Sequence, residues 1–159
     1  MVSTARSPVS IRVPNPAARL RLFCFPYAGA GAGAYRDWSG MLPRDIEVAA
    51  VQLPGREWRI QEKPLDDMRL LAADALTAIR PLLDKPFALL GTSMGGTLIF
   101  ELARALRAAG DPLPVCLMPL AIGAPHLPET KLFHNLPDAE LLEEIGHFGV
   151  LSDEITSHP

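Results

Sequence analysis

A chain of 159 residues, 48% hydrophobic and 21% charged, is long and apolar enough to bury one sizeable core, which excludes a disordered chain. The formal charge of -3, with Lys and Arg scattered along the chain, excludes the basic footprint of a nucleic-acid binder. Pro, Gly or a charged residue breaks every apolar run before it reaches the roughly 18 to 20 residues of a spanning helix, so no membrane partner is expected.

Residues 1–18 read as an N-terminal extension that contains Pro and Ser and has no period. Met1 to Pro16 lacks the continuous apolar stretch and cleavage site of a signal peptide, which predicts a cytoplasmic location. Leu20, Leu22, Phe23, Cys24 and Phe25, closed by Pro26, predict a buried strand. Tyr27 to Ala34 carries Gly29, Gly31 and Gly33 among alanines, too few side chains to pack as helix or strand, and predicts a loop. Tyr35, Trp38, Met41 and Leu42 fall at helical spacing, and Ile46 to Val51 form a second strand that ends before Pro54-Gly55.

From Asp66 to Leu83 the residues Met68, Leu71, Ala72, Ala75, Ile79, Leu82 and Leu83 trace one helical face, with Asp66 and Asp67 favourable near the N-terminus. Phe87 to Leu90 predict a third strand. Leu98, Ile99, Leu102, Ala105, Leu106 and Ala109 then mark a helix closed by Gly110. Val115 to Ile122 predict a fourth strand in which Pro119 forces a bulge or an early end. Pro137 to Ile145 predict a further amphipathic helix, and residues 152–159 the start of another. This alternation implies an α/β fold, a mostly parallel sheet flanked by helices. Cys24 and Cys116 lie in apolar strand runs, away from any second Cys or His at metal-ligand spacing, and read as buried structural thiols with no metal site.

The strongest chemical signal is Gly91-Thr92-Ser93-Met94-Gly95-Gly96, a G-x-S-x-G between a predicted strand and a predicted helix. A sharp strand-to-helix turn lifts the Ser93 hydroxyl above the sheet, while Gly91 and Gly95 let strand and helix approach. In such a site Ser93 is the nucleophile, and one oxyanion donor comes from the residue after it and one from an earlier strand-to-helix loop. Met94 and Ala28 are the candidate backbone donors. Nucleotide binding at the same turn is disfavoured, because no Lys follows the glycines and Gly29-Ala30-Gly31-Ala32-Gly33 is not G-x-G-x-x-G.

The chain resembles the type II thioesterases of non-ribosomal peptide and polyketide synthetases, members of the α/β-hydrolase superfamily. Phe25-Pro26-Tyr27-Ala28-Gly29, Tyr35, Trp38, Gln52-Leu53-Pro54-Gly55-Arg56-Glu57 and Phe87-Ala88-Leu89-Leu90-Gly91 carry the likeness, continued by Ala124-Pro125-His126 and His134-Asn135-Leu136-Pro137-Asp138. It covers roughly residues 19 to 157. The resemblance implies hydrolysis of acyl thioesters borne on the phosphopantetheine arm of an acyl or peptidyl carrier protein. No cofactor beyond that arm is implied.

On this likeness residues 19–135 form an incomplete hydrolase core and 136–159 the start of a helical lid. Two departures are Thr92, where the family has His, and Leu120-Ala121-Ile122-Gly123, where it has a polar Ser-Gly-Arg-type turn. The family's triad acid and His follow two further strands, so this chain is expected to lack both and to be nearly inactive by itself. His126, His134, His147 and His158 precede those strands, and none is expected to serve as base. In the hydrolase strand order the Ser93 strand separates Cys24 from Cys116 by roughly 9 to 10 Å, which predicts free thiols. The alternatives are a non-catalytic carrier-protein-binding remnant and a general esterase. An exposed last strand is expected to favour an edge-mediated dimer.

Overall fold

The computed structural model describes residues 6–124 and 136–147. The chain divides into two compact units, Met1–Pro125 and His126–Pro159. The first contains β1 (Val9–Ser10), β2 (Leu20–Phe25), α1 (Trp38–Met41), β3 (Ile46–Val51), α2 (Met68–Ile79), β4 (Phe87–Thr92), α3 (Met94–Ala109) and β5 (Cys116–Leu120). The second contributes α4 (Asp138–His147), whose Leu141 N–H donates to the Pro137 carbonyl at 2.9 Å. Short 3-10 turns cover Ala32–Tyr35, Glu57–Arg59 and Arg80–Leu82.

The strands form one sheet in the order β1-β3-β2-β4-β5, parallel except for β1. Side-chain alternation on β2 sorts the two faces. Phe23 and Phe25 join Leu71, Ala75, Ile79, Leu98, Leu102 and Leu106 of α2 and α3 on one face. Leu22 and Cys24 join Ala32 and Tyr35 on the other. Asp67 caps α2, its carboxylate accepting the N–H groups of Arg69 (2.7 Å) and Leu70 (3.2 Å), a contribution of about 1 kcal/mol. Gly110 closes α3 in the left-handed region at φ 71°. Among the described residues no helix is long and apolar enough to cross a membrane.

The structure departs from the sequence reading in three places. The N-terminal segment supplies a strand, β1, whose Val9 and Ser10 pair with Val51 and Ala50. The predicted strand 115–122 is shorter, Cys116–Leu120, and Ala121 turns out of it at φ 54°. Pro119 sits within it because β5 is an edge strand, where a missing N–H is tolerated. For the same reason Cys116 is exposed, whereas Cys24 on central β2 is buried; both are free thiols. The predicted helix at 152–159, together with His126, His134 and His158, lies outside the described residues.

Candidate active site

From β2 the chain turns to β3 on one side, then crosses back over β2 to reach β4 and β5 on the other. Connections leaving the carboxyl ends of β2 and β4 therefore diverge and open a crevice, the place where open α/β sheets bind ligands. Phe25 pairs with Gly91 across this crevice, so the segment that starts at Pro26 and the segment that carries Ser93 leave the sheet side by side.

Ser93 occupies the turn from β4 into α3 at φ 51° and ψ -119°, a conformation costly for any residue with a Cβ. Close packing imposes it. A Cβ on Gly91 would stand 2.0 Å from the Gly95 carbonyl oxygen, and one on Gly95 would stand 2.3 Å from the Phe25 carbonyl oxygen. The first turn of α3 thus rests directly on the exit of β2. The Ser93 N–H donates to the Leu120 carbonyl at 2.8 Å, and the Gly96 N–H to the Ser93 carbonyl at 2.7 Å, which pins the turn from both ends. The Ser93 hydroxyl makes no capping bond to the helix, which leaves it free for another partner. Met94 is the first residue of α3, where a backbone N–H has no acceptor within the helix.

Ala28 lies in the tight turn Tyr27-Ala28-Gly29-Ala30, closed by the Ala30 N–H donating to the Tyr27 carbonyl at 3.1 Å. Gly29 holds φ 84° in it, and the turn leaves the amide of Ala28 unused. A clamp from the segment after β3 holds the rest of the Gly/Ala loop. Fully buried Gln52 accepts the Ala32 N–H at 3.0 Å through Oε1 and donates through Nε2 to the Leu53 carbonyl at 3.2 Å. Glu57 accepts the Gly33 N–H at 2.9 Å. A Cβ on Gly31 would stand 2.4 Å from the Glu57 carboxylate, so that glycine makes room for the clamp. Arg59 braces the segment by donating to the Gln52 carbonyl and the Asp74 carboxylate, both at 2.9 Å, and to Glu62 at 2.6 Å. Its hydrogen bonds to the Asp74 and Glu62 carboxylates raise its pKa and keep it charged.

Tyr35 links the two loops. Its hydroxyl donates to the Phe25 carbonyl at 2.7 Å and lies 3.3 Å from Thr92 Oγ1, which leaves Thr92 as the donor of that second bond. Burial raises the Tyr35 pKa, and the Thr92 hydrogen bond opposes the rise. Thr92 therefore acts as a strut between the two loops. Ile122, in the turn that departs from the family, packs 2.9 Å from where a Gly96 Cβ would lie and covers the base of α3.

The structure thus sets Ser93 and Met94 on the turn beside the exit of β2, and Ala28 in the loop that leaves that exit. The clamp of Gln52 and Glu57 and the Tyr35–Thr92 bridge had no role in the sequence reading, although Gln52, Glu57 and Tyr35 lay within the resemblance motifs and Thr92 stood out as a departure from them. Of the histidines, His147 falls in α4, and none of the four lies within Met1–Pro125, the unit that carries Ser93.

The thioesterase domain family matches residues 20–157. The gramicidin S biosynthesis protein GrsT of Aneurinibacillus migulanus is 46% identical over 132 residues, covering 82% of this chain and 52% of that protein. The structure of the RedJ thioesterase from the prodiginine pathway of Streptomyces coelicolor superposes with a TM-score of 0.80 at 41% identity, covering 90% of this chain and 57% of RedJ. YbtT, a type II thioesterase of the yersiniabactin pathway, superposes at 0.81 with 27% identity over 95% of this chain and 61% of its own. These neighbours share the α/β-hydrolase-type fold. The chain spans about half the length of the curated relative it matches, 52% for GrsT. On the extent of the match the chain belongs to the thioesterase domain family.

Proposed function

We propose that this chain is the nucleophile-bearing part of an editing thioesterase, which removes acyl groups from phosphopantetheinyl carrier proteins of a non-ribosomal peptide or polyketide synthetase. The observation that carries the reading is Ser93 at φ 51° on the β4–α3 turn, whose first helical turn rests on the β2 exit that leads into the Ala28 loop. The relatives named above support the substrate class. The reading calls for no resident cofactor, and we place the protein in the cytoplasm with its synthetase.

Ser93 Oγ attacks the thioester carbonyl carbon and gives its proton to a base. The carbonyl oxygen becomes an oxyanion held by the Met94 and Ala28 N–H groups. The C–S bond breaks, the pantetheine sulfur leaves as a thiol after taking a proton, and the acyl group stays on Ser93 until water releases it as a carboxylic acid. Because residues 1–125 contain no histidine, we assign the base to a position outside them, and α4 to the start of a lid.

The test is hydrolysis of acyl-phosphopantetheine and acyl-carrier thioesters by the whole protein, with its base and acid present, and by its Ser93→Ala variant. Loss of at least about a thousandfold in kcat supports the reading. Equal rates in both proteins overturn it. The absence of histidine from the Ser93 unit favours one second reading, a carrier-binding module without catalysis, which predicts carrier binding with no Ser93-dependent turnover.

A further inference from the structure

Beside the Gly/Ala loop lies an open cleft of about 340 Å3 that the proposed chemistry does not use. Its walls include Arg6, Arg12, Arg36, Ser10, Trp58 and Glu57. Three arginines and a single carboxylate line it, so the lining carries a formal charge of +2 within a chain of net charge -3. Arg19, Arg21, Arg59, Arg80 and Arg104 have carboxylate partners; among the described residues Arg6, Arg12 and Arg36 have none, as is true of Arg44, Arg56, Arg69 and Arg107 outside the cleft, but these three alone share one cavity lining with each other. Arg6 stacks 3.9 Å over the Trp58 ring, and Arg36 Nε donates to the Gly33 carbonyl at 3.2 Å. The Glu57 carboxylate, the one anion in the cleft, is already engaged by the Gly33 N–H. Three arginines that line one cleft without acid partners, Arg6 held by stacking and Arg36 by a backbone contact, form a receptor for a phosphate group, which their planar donors match in pairs.

The position of the cleft gives the phosphate its context. Arg36, Glu57 and Trp58 come from the segments that leave the carboxyl ends of β2 and β3, the edge of the sheet that also carries Ser93. β3 and β1 lie two and three strand spacings from β4, roughly 10 to 14 Å. An extended pantetheine arm spans that interval. We propose that the Arg6–Arg12–Arg36 cleft binds the phosphate ester of a phosphopantetheine arm whose thioester end lies at Ser93. The choice of this arm rests on the thioesterase reading; the phosphate chemistry of the cleft does not.

The test is equilibrium binding by calorimetry of three probes, 4′-phosphopantetheine, pantetheine and inorganic phosphate, to the full chain and to an Arg6→Gln/Arg12→Gln double variant. Both substitutions leave Arg36 and its contact with the loop in place. The expected result is phosphopantetheine bound roughly tenfold more tightly than pantetheine, a preference weakened by salt and abolished in the double variant, whose pantetheine binding and melting temperature are unchanged. Equal binding of the two arms, or a preference that survives in the double variant, overturns the site. Inorganic phosphate bound as tightly as phosphopantetheine overturns the arm as its occupant. Hydrolysis plays no part in this measurement, so failure of Ser93 as nucleophile is read separately.

Discussion

Glu57 accepts the backbone N–H of Gly33 at 2.9 Å, and through that bond the segment after β3 sets the course of the loop that carries Ala28. Together with Gln52 it makes the Pro-Gly-Arg-Glu motif a brace for one of the two proposed oxyanion donors. Glu57→Ala is expected to lower kcat about tenfold with KM little changed, because the displaced amide acts on the transition state rather than on binding. Steady-state kinetics on an acyl thioester read this. A raised KM at constant kcat would count against the brace. Gln52→Ala also strands the buried Ala32 N–H and is expected to cost about 1 to 3 kcal/mol of stability in urea denaturation.

The strain at the elbow has a measurable sign. Ser93→Gly relieves a Cβ held at φ 51° and is expected to raise stability by about 1 kcal/mol while removing activity. Gly95→Ala does the opposite, since its Cβ meets the Phe25 carbonyl at 2.3 Å and backbone cannot yield as a side chain can. A loss of about 3 kcal/mol or more is expected by the same denaturation series. A Ser93→Gly variant less stable than the parent would contradict the strained turn.

The two cysteines should behave oppositely. Cys116 is exposed and is expected to react at once with a thiol reagent; Cys24, its thiol pushed up to about 12 by desolvation, should react only on unfolding. An acid whose pKa is raised from about 9 in the unfolded chain to about 12 in the fold keeps its proton longer when folded. Stability therefore falls as pH rises through that window. Thermal melts from pH 8.5 upward check this, and Cys24→Ala should flatten the slope.

The edge strand β5 carries Leu117 and Leu120, 37% and 44% exposed, on the open side of the sheet. The 159-residue chain is expected to self-associate through this edge with rising concentration in sedimentation velocity. Leu117→Lys should return it to a monomer. A wild-type chain monomeric at every concentration would dismiss the edge contact.

Local chemistry made much of this legible. The G-x-S-x-G elbow, the Asp67 cap and the Gly110 stop depend on neighbours within a few residues, so their residue types speak for themselves. What sequence could not show depends on distant partners. Val9 and Ser10 form a strand only because β3 presents its edge to them. Arg21 and Glu47 interrupt apolar strands with opposite charges, and they pair at 2.6 Å in the interior because β2 and β3 set them in register. Cys116 reads as core from its apolar neighbours, and its exposure follows from the position of β5 in the sheet. The clamp of Gln52 and Glu57 crosses 20 and 24 residues, beyond the reach of any local pattern.

The most direct measurement of the central claim is to incubate the protein with an acyl-phosphopantetheine thioester, quench during turnover, and map the acylated residue by peptide mass spectrometry. The account predicts one adduct, on Ser93, absent from Ser93→Ala. Acylation at another residue, or thioester hydrolysis undiminished in Ser93→Ala, would contradict it.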